Sequence, residues 1–282
     1  MIVCVAASVI KEISTDEGVR GVTSVDDELF VLLSRNNLSQ VLVYSINDYQ
    51  QRRHLDYVMP YDLSDMTSCV RHKCLYMSDP RNRCIHRYEL ASGATSKWPV
   101  PGEPRGLSVT PSGNLLVTCQ GPNKLVELSV DSGESMREMA LQSDIEEPRH
   151  SVQLTTGQFV VCHGYSDSDL HRVCVVGDDG KVTRSYGGEP GSDVGQLKEP
   201  CHLAVDEDSQ FIFVADDRNG RVVLLTPTLE FVRYVVEGTW VTRTWQLYFH
   251  QATRLLFVGH YREWPMRAVH HYWGGDVSVI QL

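Results

Sequence analysis

The sequence predicts an all-β protein: a six-bladed β-propeller of four-stranded antiparallel blades, closed by the N-terminal strand pairing into the last blade. Three observations predict it. Six segments share one plan at a nearly constant interval, each leads into further short apolar runs separated by turn signals, and the last repeat is one strand short while an apolar segment precedes the first.

The six leads are Val19–Val25, Pro60–Met66, Pro104–Val109, Pro148–Gln153, Pro200–Val205 and Arg243–Phe249. Aligning Gly21, Asp62, Gly106, His150, His202 and Gln246 gives intervals of 41, 44, 44, 52 and 44 residues. A period of this size marks a repeat architecture, because one such unit cannot bury its apolar face alone.

Each lead is an innermost strand. A tight turn and a second apolar strand follow, as in Ser112-Gly113-Asn114 before Leu115–Cys119, or Asp208-Ser209-Gln210 before Phe211–Ala215. The loop to the third strand is clearest where Asp79, Arg81 and Asn82 coincide with Asp216, Arg218 and Asn219. Asp and Asn suit such loops because their side chains bond neighbouring amides and tolerate left-handed backbone. Hairpins at Ala91-Ser92-Gly93, Asp131-Ser132-Gly133, Asp178-Asp179-Gly180 and Thr226-Pro227-Thr228 lead to a fourth strand. Four antiparallel strands make one blade.

Blade six has three strands before the chain stops, and Val3–Ile13 supplies the fourth, which removes exposed sheet edges. The opening Met1–Ile10 lacks a basic leader and runs into Lys11-Glu12, so it reads as a buried strand and not a signal peptide. No helix of three turns is evident. One domain spans residues 1–282, with a closing strand at about 2–13 and blades at about 14–58, 59–100, 101–142, 143–187, 188–238 and 239–282.

Composition narrows the function classes. With 36 acidic and 26 basic residues the formal charge is -10, which disfavours a broad grip on nucleic acid but leaves room for a local basic patch. No run of 18 apolar residues exists, so no membrane association is expected. The eight cysteines fall mostly in hydrophobic runs, where a free thiol behaves as a small apolar group; a reducing, cytoplasmic setting and a monomer are expected.

Ser185–Pro200, running on through His202–Asp206 and Val214–Val222, resembles an NHL repeat of the kind found in tripartite-motif ubiquitin ligases. The likeness is strong in blade five, fair in blades two to four and weak in blades one and six. It implies a recruiting role in ubiquitination. The chain has no RING, B-box or coiled coil, so ligase activity would have to come from another chain.

By register with that family, the channel mouth carries Arg20, Tyr61, Arg105, Arg149, Cys201 and Trp245, followed by Gly21, Asp62, Gly106, His150, His202 and Gln246. Arginines and aromatics on one rim suit phosphate, carboxylate or a stacked base, since guanidinium offers planar paired donors and an aromatic ring offers a face. The alternative is that the arginines pair internally with Glu103, Glu146 and Glu147. Asp62, His150 and His202 are the set that would serve a catalytic metal. NHL-like amidating lyases place their zinc histidines one residue earlier, where this chain has Arg105, Arg149 and Cys201, so no metal and no cofactor are expected.

Cys69, Cys74, Cys84 and His86 do not have finger spacing, and register puts the three thiols at the end of a first strand and the starts of a second and third. They read as core or surface thiols, with a Cys69–Cys74 disulfide left open. Nucleophile elbows and phosphate loops are absent. The aromatic insertion Tyr261–Trp273 is either a partner-binding flap or a cover over the ring closure.

These readings converge on a protein that is not an enzyme: an interaction module holding a protein or peptide through Arg20, Tyr61, Arg105, Arg149, His150, His202, Trp245, Tyr261, Arg262 and Trp264. Single-stranded RNA on the rim is the alternative, and a metal-dependent lyase or hydrolase the third reading.

Overall fold

The computed structural model describes residues 7–35, 38–59, 62–165, 168–236, 243–261 and 274–282. They form six four-stranded antiparallel sheets. From the channel outwards, blade one is Gly18–Val25, Glu28–Arg35, Leu38–Ser45 and Gln51–Met59, and blade two is Met66–Cys69, Cys74–Asp79, Cys84–Glu89 and Thr95–Pro99. Blade three is Glu103–Val109, Leu115–Gln120, Lys124–Leu128 and Ser135–Ala140; blade four is His150–Gln153, Phe159–His163, His171–Val176 and Val182–Gly188. Blade five is Pro200–Val205, Ile212–Asp216, Arg221–Leu225 and Phe231–Val236. Blade six has Arg243–His250, Leu255–Tyr261 and Gly275–Gln281, and Ser8–Thr15 pairs antiparallel with the last of these. A single short 3-10 turn, Asp217–Asn219, is the only helix among the described residues, and none is long and apolar enough to cross a membrane.

Alternation along the strands places apolar side chains on both faces of each blade, and they meet between blades. One cluster joins blades one and two through Phe30, Leu32, Val41, Leu75 and Met77. The cluster that closes the ring joins Ile13, Val277 and Val279 to Val31 and Leu33. Chain ends are thereby tied by packing as well as by the ladder, and Thr15 Oγ1 adds a hydrogen bond to Gly275 O at 2.8 Å.

The closing strand lies where the sequence places it, but it is not buried. Ser8 to Glu12 are exposed, and only Ile13 and Thr15 are inside. As the outermost strand of its blade it has one neighbour, so its apolar residues Val9 and Ile10 face solvent. Seven described cysteines are free and buried; Cys69 and Cys74 face each other across the blade-two hairpin without a bond.

One irregularity recurs on the channel. In blades one, three, five and six the innermost ladder slips between Val19 and Gly21, Pro104 and Leu107, Pro200 and His202, and Thr244 and Gln246. A bulge inserts an unpaired residue and re-aims its side chain. The skipped residues include Arg20, Arg105, Cys201 and Trp245, so the bulges set four mouth positions. Gly106 is required for a different reason: a Cβ there would lie 2.6 Å from both Arg149 O and His150 Cα.

Candidate functional site at the channel mouth

His150 opens the innermost strand of blade four and His202 lies just past the bulge of blade five. Their rings stack at 3.8 Å between centroids, inclined by 31°. The carboxylate beside them is Asp65, which corrects the expectation of Asp62. Asp65 Oδ2 lies 3.6 Å from His150 Nε2, and Oδ1 lies 3.5 Å from His202 Nε2. Asp62 is exposed and takes a hydrogen bond from Ser34 Oγ. The physical reason is that the blade-two lead does not begin at its proline. Backbone hydrogen bonds from Ser64 N to Ser78 O and from Ser78 N to Asp65 O set Ser64 and Asp65 in the places that Cys201 and His202 occupy in blade five. Ser64 accordingly stands at the mouth position expected for Tyr61, and Tyr61 lies outside the described residues.

Asp65 is held from three blades. It accepts from Met66 N at 2.7 Å, from Leu107 N at 2.7 Å and from the Gln246 side chain. Burial pushes its carboxyl up to about 6, while neighbouring His150 and the backbone donors oppose the rise. Burial lowers both imidazoles to about 3, helped at His150 by the adjacent His202 ring. At neutral pH the cluster is one carboxylate between two neutral imidazoles. Unmet bonding capacity remains: His150 Nδ1 and His202 Nε2 are buried and make no hydrogen bond. Such orphans call for an explanation, because an unsatisfied buried polar atom costs about 1–3 kcal/mol.

Above the cluster is a cavity of about 20 Å³, enough for one water, lined by Ser64, Asp65, Arg105, His202, Trp245 and Gln246 among others. Its rim is cationic. The Trp245 ring has three guanidinium groups near its face, from Arg20 at 5.2 Å, Arg149 at 5.3 Å and Arg243 at 5.8 Å. Arg20 also lies over Tyr261, at 5.8 Å, and Arg149 over Tyr165, at 4.6 Å. Each such contact contributes about 0.5–1 kcal/mol where exposed.

The expected internal pairing holds for only some of these cations. Arg105 reaches Glu103 at 3.0 Å and Gln120 Oε1 at 2.8 Å, and burial with neighbouring Arg149 lowers its pKa. Arg243 is paired with Asp217. Among the described residues Arg20 and Arg149 have no carboxylate within bonding distance, and Arg20 Nε is buried without a partner there.

Sequence reasoning thus located Arg20, Arg105, Arg149, His150, His202 and Trp245 together, and missed Asp65, Ser64, Tyr165 and Arg243. Tyr261 is buried under the rim, so it supports the site and does not present a free face. Arg262, Trp264 and the rest of the insertion to Trp273 lie outside the described residues. Cys201 is spent on the backbone, its Sγ donating to Thr244 O at 3.3 Å, and burial raises its pKa.

A second cluster, Asp79, Cys84 and His86, is also buried with its donor atoms close together. Here the bonds are complete at the carboxylate. Asp79 accepts from Asn82 N at 2.9 Å, Asn82 Nδ2 at 2.8 Å and His86 Nε2 at 2.8 Å. Cys69 and Cys74 are on the far end of the hairpin, so the four thiol and imidazole groups noted in the sequence do not converge.

No family model and no curated protein matches this chain. Among solved structures the ring is similar to streptogramin B lyase, with a TM-score of 0.65 and 11% identity over 97% of this chain and 98% of that one. It is similar to virginiamycin B lyase from Staphylococcus aureus, with a TM-score of 0.63 and 13% identity over 98% and 99%. A catalytically inactive variant of that lyase with quinupristin gives 0.64 and 13%, again over 98% and 99%.

Identities this low show the fold alone, and the fold is a six-bladed propeller. Two expectations change. The likeness to NHL repeats and tripartite-motif proteins has no support beyond the shared ring, and ubiquitination and RNA binding lose the ground it gave them. The expectation that the chain is not an enzyme is overturned as well: it rested on propellers that serve as interaction modules, and the structural neighbours include lyases.

Proposed function

We propose that the channel mouth binds an organic anion with a planar or aromatic group, and that polar groups on its floor act on that ligand in a lyase- or hydrolase-type reaction. One observation carries this reading: among the described residues Arg20 and Arg149, both half-buried, contact aromatic faces and no carboxylate, whereas Arg105 and Arg243 on the same rim are neutralised. Like charges held around one indole repel, and an anion between them relieves that cost while guanidinium supplies paired donors. Below the rim, Asp65 and the two imidazoles offer a base or an electrophile's ligands within a cavity, the arrangement in which ligand and reactive groups usually meet. The similarity of the ring to lyases supports this reading, although function resides in the site and not in the scaffold.

The test is calorimetric titration with a short peptide ending in phenylalanine, as free carboxylate and as amide. The free acid is expected to bind and the amide to bind at least about tenfold more weakly, the loss of one charge-assisted bond. Arg20→Gln/Arg149→Gln is expected to abolish the difference. Equal binding of acid and amide, or binding unchanged in the double variant, contradicts the reading.

A further inference from the structure

We infer that Asp65, His150 and His202 form a binding site for one divalent transition-metal ion, zinc or its chemical neighbours, on the floor of the mouth. Two imidazoles and a carboxylate from blades two, four and five bring their donor atoms within 4.8 Å of one another. Each carboxylate oxygen faces one imidazole nitrogen, Oδ1 at 3.5 Å from His202 Nε2 and Oδ2 at 3.6 Å from His150 Nε2, on the scale of the about 3.3 Å between ligand atoms that sit about 2.0–2.1 Å from a tetrahedral ion. All three residues are more than nine-tenths buried.

The second observation is the set of orphans. His202 Nε2 is turned towards the carboxylate and bonds to nothing, and His150 Nδ1 is buried without a partner. His150 Nε2 does lie 3.0 Å from Leu107 O, so its proton sits there when no cation is bound. Coordination requires that proton to move to Nδ1, which has no existing bond to lose, and the shift leaves the number of protons unchanged. Backbone donors at Met66 and Leu107 fix the carboxylate, the kind of outer support that ligating groups usually have.

Three protein ligands leave a fourth position, and the adjacent cavity can hold the water or ligand atom that fills it. A metal there would act as a Lewis acid on a group held by the rim. The Asp79 cluster makes no such site, because its histidine already donates to its aspartate at 2.8 Å. The metal inference does not depend on the anion reading: metal binding can fail while the rim still selects carboxylate, and the reverse.

The test uses the full chain, stripped with chelator and titrated with Zn²⁺ and with Co²⁺. Expected are one equivalent bound, a raised melting temperature, and X-ray absorption showing imidazole and oxygen ligands with no sulfur. His202→Gln is expected to weaken binding by more than the roughly 10–100-fold that loss of an outer-shell partner costs, while His86→Gln leaves it unchanged. Absence of stoichiometric binding to the wild-type chain, sulfur in the coordination shell, or full binding by His202→Gln each overturns the inference. The wild-type spectrum decides the matter if a variant does not fold.

Discussion

Asp216 in blade five and Asp65 on the channel are both buried aspartates beside nitrogen bases, yet they differ in how completely they are bonded. Asp216 accepts from Lys198 N at 2.6 Å, Asn219 Nδ2 at 2.8 Å and Arg221 Nε at 2.7 Å. Arg221 in turn donates to Ser192 O and Gln196 O, so every strong group in the set has a partner. Asp65 is equally well held, but its histidine neighbours keep idle nitrogens and border a cavity. Residue type therefore does not separate the saturated cluster from the candidate site here; unmet bonding capacity beside open space does.

The comparison breaks most readily at the saturated end. Asp216→Ala leaves Arg221 buried and unpaired, and is expected to cost about 3–5 kcal/mol in denaturant unfolding. A loss below about 1 kcal/mol would mean that the pair is not the staple it looks to be. His202→Gln removes no hydrogen bond from Nε2 and is expected to cost about 1 kcal/mol, the ordinary scale of a single change.

The rim sharpens the contrast further. Arg20→Gln/Arg149→Gln loses cation–π contacts but also like-charge repulsion, so thermal stability is expected to stay within about 0.5 kcal/mol of wild type. The smallest effect is at Asp206, where burial pushes the carboxyl up but hydrogen bonds from Arg254 and Ser209 more than offset it, giving a net lowering from 3.8. A depressed carboxyl contributes stability above its unfolded value, and that contribution is lost as pH falls through the folded value. Between pH 4 and 2 the melting temperature is expected to drop less in Asp206→Asn than in wild type, as read by circular dichroism.

The blades were legible because turn residues and period-2 apolar runs repeat six times. The ring level was legible in five blades and misplaced in blade two, where a proline was taken as the anchor of the lead. Pro104, Pro148 and Pro200 carry Arg105, Arg149 and His202 into register, whereas Pro60 lies too early in its blade. A better anchor was present: His202 precedes Asp216 by 14 residues, and so does Asp65 precede Asp79. Aligning blade two on Asp79 selects Asp65 and rejects Asp62. The neutralisation of Arg243 by Asp217 was not legible because it joins side chains from different blades, and the approach of Tyr165 to Arg149 was not legible because it depends on the path of the loop after His163 within blade four. Burial of the closing strand was misjudged since hydrophobicity reports how apolar a segment is, not how many neighbours its place in a sheet provides.

The most direct test of the account is a crystal structure of the full chain grown with bromide as an anomalous anion probe. Bromide between Arg20 and Arg149 at the edge of Trp245 is the predicted result, with Arg105 still on Glu103. A mouth without bromide, in which Arg20 and Arg149 instead pair with carboxylates of their own chain, would contradict it.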